Sequence, residues 1–255
     1  MKLPTTIDGV IEELDRIIDL TVEDGNYLGL FAFVYRDTTA RIKSEVIAGA
    51  FEDNMRMHEM DVLFANFYIK AYHDYRAGKR VSLCWKVSFD AAHDPLAIVQ
   101  HIMLGMNAHI NLDLAIAAAL TMNDEPTMDD LSNDFHKINE ILSGLTNEMQ
   151  EQLARVSPLM FLLDWIGQRS DEKVIDFSIK VAREQSWIIA QELWGCAGGD
   201  REARLQKVDK SIERIADRIR SPRTGLLRFV IKVIRRFEKK DAAAIVDGMR
   251  GGTSN

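Results

Sequence analysis

Cysteine is nearly absent. Cys84 and Cys196 are the only two in 255 residues, too few for a disulfide framework and too far apart for a C-x-x-C pair. P-loop, G-x-S-x-G and H-E-x-x-H signatures are missing as well, so phosphate-loop, serine-nucleophile and zincin chemistry have no support. No internal repeat or low-complexity tract occurs. One stretch alternates weakly, VSLCWKVSF at 81–89, but no second strand signal lies nearby to pair with it. It reads better as an extended loop or short helix packed by Trp85 and Phe89. No short apolar run follows a basic N-terminus, so the expectation is a cytoplasmic protein rather than a secreted one.

Charge is missing from one place in particular. Between Asp94 and Asp124 there is no Lys, Arg or Glu, and Asp113 is the only charged side chain. Yet residues 100–120, QHIMLGMNAHINLDLAIAAAL, carry Gln100, His101, Asn107, His109, Asn111 and Asp113. The run is long enough to span a bilayer, but so many polar groups argue for burial in protein rather than lipid. Each of them left unpaired there costs about 1–3 kcal/mol, so partners must converge on it. The expectation is a central buried helix at about 95–121, with Asp94 as N-cap and Pro95 at the first helical position.

What is present elsewhere is helical periodicity in a chain that is 47% hydrophobic. Helices are predicted from Thr5/Thr6 to about Asp24, over 27–50 as one or two pieces, and over 53–76. Beyond the central helix come 127–156, a short LMFLLDWI helix after Ser157-Pro158, and 174–194 capped by Ser170 or Asp171. A charged helix over 200–220 and a final helix from Thr224 complete the series. The fold class is all-α, a single multi-helix bundle. Its parts are a bundle domain over 1–220, a basic amphipathic C-terminal helix over 221–250 and a disordered tail over 251–255.

The net charge of −7 is unevenly spread: 218–240 holds nine Lys/Arg against one Glu, which leaves −15 for the rest. An acidic body argues against general nucleic-acid binding. The basic helix, with Leu226, Val230, Val233, Ile234 and Phe237 on one face, suits either peripheral membrane contact or docking on the acidic body of its own chain.

On a wheel of the central segment, His109 and Asp113 lie within roughly 40° of each other, while Gln100, Asn107 and Asn111 cluster on another side. An i, i+4 His/Asp pair can bind one metal ion, or the carboxylate can orient the imidazole for acid–base work. His58, Asp61 and Tyr68 share a stripe of the third helix; Asp134 and Glu184 fall within the apolar stripes of theirs. Carboxylates and histidines converging from several helices are how bundles build metal sites. The candidate ligands of a divalent metal (Zn, Fe, Mn or Mg) are therefore His109, Asp113 and His58. Asp61, Asp134 and Glu184 are candidates for further ligands or a catalytic base. Asn107, Asn111 and Tyr68 are candidates for substrate contact, although for the two asparagines stitching helices together is the favoured role. The expected activity is metal-dependent hydrolysis of a phosphoester or lipid-like small molecule. The alternative is a non-catalytic scaffold or small-molecule binder in which the same residues form a core network.

GMNAHINLDL, with the W-x-x-x-F of Trp85 and Phe89 before it and NDFHKINEIL (133–142) after it, resembles a bacterial family of all-helical proteins with no assigned activity. The resemblance covers about 10–194 and includes His58, Asp61, Asn107, His109, Asn111, Asp113, Asp134 and Asn139. The G-x-x-x-H-x-x-x-D spacing is also similar to that of the zinc-dependent phospholipase C and S1/P1 nuclease fold. That resemblance implies zinc on His109 and Asp113, with His136 and Glu140 as a later H-x-x-x-E, though the histidine expected shortly after the Asp is absent. DDLSND (129–134) is similar to the acidic motif of class I terpene synthases, which implies a metal-dependent lyase.

Overall fold

A computed structural model describes residues 2–163, 179–196 and 198–251. Among them there is no strand, and the all-α expectation holds. Helix α1 (Ile7–Asp24) is capped by the Thr6 hydroxyl, which accepts from the Gly9 amide at 3.1 Å, and ends on Gly25 in the left-handed region at φ 61°. α2 (Leu30–Ile47) is one helix, and α3 (Asn54–Arg76) starts at an Asp53 cap. The weakly alternating stretch is a short helix, α4 (Leu83–Asp90), whose Trp85 and Phe89 stack in the core.

The polar run forms the buried centre in three pieces: α5 (Ile98–Ala108), a π-helical turn (His109–Asp113) and α6 (Leu114–Thr121). Ile98–Thr121 is long and apolar enough to cross a membrane, yet 83% of its most apolar window is buried inside the fold. Around it lie α7 (Asp129–Val156), α8 (Ile179–Trp194), α9 (Gly198–Arg220), α10 (Gly225–Phe237) and α11 (Ala242–Arg250). α4 and α9 pack on α5, α3 and α8 on α6, and α2 crosses α5. At that crossing Gly105 is required: a β-carbon there would stand 2.4 Å from the Phe31 ring.

Two boundaries and one helix orientation differ from those predicted. The central helix begins at Ile98, not Pro95, because Asp94 is extended (ψ 149°) and pairs with Arg220 at 2.6 Å. Its first amides are met instead by Gln100 Oε1, which accepts from Ala97 at 3.0 Å, and by the carboxylate of Glu238, which accepts from Ile98. That same Glu238, buried and also holding the Ser157 hydroxyl at 2.7 Å, splits the basic C-terminal helix into α10 and α11. The segment leaves helical geometry so that its carboxylate can reach two partners.

The third difference is rotational. On α8, Ala182, Arg183, Ser186, Trp187, Ala190 and Leu193 face inward, while Val181 and Ile188 are exposed. Alanines of α6 and α8 let the two backbones approach closely, so small residues rather than β-branched ones mark the buried face. Residues 164–178, including the Ser170/Asp171 cap, Val174 and Phe177, lie outside the described residues, as do 252–255 of the tail.

Candidate functional site

The π turn carries the site. A π turn inside an α-helix widens the backbone by one residue and recurs at functional positions. It also ends the constant 100° step on which a single wheel depends. His109 Nδ1 lies 2.9 Å from Asp113 Oδ2, and the Trp85 indole N–H donates to the same oxygen at 2.9 Å. The imidazole is fixed from other sides too: it stacks on Phe64 (centroids 3.7 Å apart, planes 7° apart) and meets Tyr35 edge-on at 4.4 Å. With Nδ1 donating to Asp113, Nε2 is the acceptor; it is sealed from solvent and has no hydrogen-bond partner among the described residues. Burial pushes the His109 pKa well down, so the ring is neutral, and pushes that of Asp113 well up against the opposing Trp85 hydrogen bond.

His109 opens onto a cavity of about 80 Å³ between α2, α3, the π turn, α7 and α8. One water needs only roughly 10–15 Å³, so there is room for several waters or a short chain. The wall is largely apolar, with Ile42, Met57, Met60, Leu114 and Ile138 among its residues; its polar side chains are Tyr35, Thr38, Asp61, His109 and Arg183, and the Thr38 hydroxyl is already given to the Val34 carbonyl. Asp61 is partly exposed as a residue, but its Oδ2 is sealed and has no partner among the described residues. Burial raises its pKa to about 7. The Tyr35 hydroxyl lies near that of Thr39 but closes no hydrogen bond among the described residues; burial, then the nearby Asp61 charge, hold it protonated against the opposing effect of Thr39. Arg183, 4% exposed, donates Nε to Asn139 Oδ1 at 2.7 Å and Nη2 to the Phe135 carbonyl at 2.5 Å. Its guanidinium also lies 4.5 Å over the Phe135 ring.

The fold therefore brings together His109, Asp113 and Asp61, with Tyr68 beside them, its ring 6.0 Å from His109 and its hydroxyl buried with no partner among the described residues. Other candidates stand apart. His58 does not line the cavity, and Glu184 is exposed on the outer face of α8. Asp134 is committed to structure, its two oxygens accepting from the Glu52 and Asp53 amides at the start of α3. Asn107 donates to the Ile212 carbonyl of α9, and Asn111 back to Asn107, so this edge stitches helices. In the H-x-x-x-E pair, His136 Nδ1 bonds the Ser132 carbonyl and Glu140 is exposed. Asp129 and Asp130 of DDLSND are exposed as well.

The donor set expected for a metal does not fit. His109 and Asp113 bond each other, His58 is elsewhere, and among the described residues no three His, Cys, Asp or Glu side chains could hold an ion. Sequence reasoning missed three contributors. Trp85 was visible only as a packing residue, and Tyr35 as part of an apolar run. Arg183 was hidden by the misjudged phase of α8; the small-residue spacing Ala182, Ser186, Ala190 is the signal that would have turned that helix.

The molecule is thus an all-helical protein with a carboxylate-held histidine lining a partly open, largely apolar cavity. Residues 7–222 match the family of unknown function DUF5995, and the chain belongs to that family. The match takes in every residue of the site and stops short of α10. No curated protein and no solved structure matches the chain.

Proposed function

We propose that the cavity binds a small, lipid-like ester and hydrolyses it by general acid–base catalysis. The observation that carries this is a carboxylate-oriented histidine, its Nε2 unpartnered among the described residues, lining the same apolar cavity as a carboxyl group near neutrality. A water at Nε2 gives its proton to His109 as its oxygen adds to the ester carbonyl carbon. Asp113 holds the resulting imidazolium through Nδ1–H, and the Tyr35 hydroxyl supplies a donor for the developing oxyanion. The carbonyl–alkoxide bond then breaks, and the leaving oxygen takes the proton of the Asp61 carboxyl. Transfer of the imidazolium proton back to Asp61 restores both groups. This keeps the hydrolytic reaction class expected from the sequence, with no step routed through an ion.

The test is hydrolysis of p-nitrophenyl esters from butyrate to dodecanoate near neutral pH. His109→Gln and Asp61→Asn are each expected to lower kcat by about 10²–10⁴-fold. Wild-type protein that hydrolyses none of the series faster than buffer ends this reading.

A lipid-like substrate is met at a membrane, and the outer face of α10 suits one. Its inner face (Leu227, Val230, Ile231, Ile234) docks on the body beside Ala97. Leu226, Phe229 and Phe237 are exposed, next to the exposed Arg228, Lys232 and Arg236. The proposed partner is an anionic lipid surface, each basic side chain contributing about 1 kcal/mol. Phe229→Ala/Phe237→Ala and Arg228→Glu/Lys232→Glu leave the docked face intact. Both variants are expected to sediment less than wild type with phosphatidylserine-containing vesicles, and wild type hardly at all with pure phosphatidylcholine. Equal sedimentation of all three proteins would remove the membrane contact.

A further inference from the structure

We propose that Arg183 is the anchor for a carboxylate on the cavity's ligand, which makes that ligand an amphiphilic monoanion with its charged end at α8. The inference rests on reading the cavity as a ligand site and specifies what it selects. A guanidinium carries five N–H donors. Asn139 and the Phe135 carbonyl use two, which fixes the plane of the fork and leaves three. No carboxylate among the described residues pairs with it. Burial alone lowers its pKa to about 9. Among the described residues this buried cation is met only by neutral acceptors and one ring face, which compensate it incompletely. Arg183 lines the cavity.

Charge balance decides the class of anion. Arg183 is the only Lys or Arg among the described residues lining the cavity, and Asp61 already contributes acidity there. A dianionic phosphate monoester would leave a net negative charge buried; a single carboxylate neutralises the single cation and matches its planar fork with two parallel hydrogen bonds. The remaining wall includes Met57, Met60, Met106 and Met149, unbranched side chains that adapt to an alkyl body of variable shape. Arg183 would therefore bind one end of a molecule whose reacting bond lies at His109 and Asp61. A half-ester of a dicarboxylic acid has this form.

Isothermal titration of wild-type protein with octanoate, octanol, octylamine and octyl phosphate tests the anchor without relying on turnover. Octanoate is expected to bind about 10–100-fold more tightly than octanol, the difference charge-assisted hydrogen bonds supply, and octylamine most weakly. Arg183→Met should bring octanoate down to the affinity of octanol, and Arg183→Lys, which keeps the charge but loses the fork, should fall between. Octanoate binding no tighter than octanol overturns the anchor from the wild-type data alone, even where the Met variant fails to fold. Tighter binding of octyl phosphate than of octanoate overturns the monoanion. Absence of binding by all four overturns the anchor and the cavity reading together. Octanoate binding in a protein that cleaves no ester leaves the anchor standing and removes only the proposed reaction.

Discussion

Asp113→Ala is expected to lower the stability of the protein by about 2–6 kcal/mol, seen as a fall in the urea midpoint at unchanged slope. The carboxylate is the acceptor for two buried donors, the Trp85 indole and His109 Nδ1. Removing it strands both, at roughly 1–3 kcal/mol each, before the cost of the vacated volume is counted. The asymmetry of buried hydrogen bonding supplies the control. Taking away all three polar partners together, as Trp85→Phe/His109→Leu/Asp113→Leu, should recover most of the loss, because no orphan remains. A triple variant as unstable as the single one would mean that volume, not unpaired polarity, dominates at the π turn. Since His109 stacks on Phe64 and meets Tyr35, shape contributes as well, and the comparison separates the two.

Asp61→Asn is expected to act in the opposite direction, stabilising the protein above neutral pH while impairing the site. The unfolded carboxyl titrates near 3.9, the folded one at about 7. Between those values the native state keeps a proton that the unfolded state has lost. Native stability therefore falls as pH rises through that window, and the deficit is complete above about pH 7. By linkage the deficit reaches as much as about 4 kcal/mol. The asparagine variant cannot ionise, so its advantage over wild type should grow from about pH 4 and level off beyond about pH 7. His101 runs the other way. It is buried and neutral, its pKa depressed to about 3, and it costs stability as pH falls below its unfolded value near 6.5. That term is common to both proteins and cancels in the difference curve, which is the quantity to measure. A flat difference would assign Asp61 an ordinary carboxyl and remove the general acid from the proposed mechanism. A gain in stability with loss of turnover is the trade expected of a group held strained for function.

The feature easiest to read in the sequence was also the central one. A run with six polar side chains, only one of them charged, has to be buried and has to find partners, and that places His109 and Asp113 together in the middle of the protein. Periodicity and caps such as Thr6, Asp53 and Thr224 located most helices, because a cap hydrogen bond is local and its partner lies within a few residues. The start of α5 was misplaced because its cap is not local: Glu238 arrives from the far end of the chain. Asp134 misled for the same reason. An acidic residue in an apolar stripe looks catalytic until the amides of Glu52 and Asp53 are seen to occupy it.

By itself, then, the sequence determined the all-helical class, the buried central segment and the His109–Asp113 pair, since all three follow from spacing along one chain and from the cost of burying polar groups. Only the tertiary structure decided that Trp85 completes the pair, that Asp61 shares its cavity and His58 does not, and that Arg183 faces inward. Those outcomes depend on which helix faces meet. Close contact between small residues of α6 and α8 set the rotation of α8 against its more hydrophobic side, and no periodicity within a single helix contains that information.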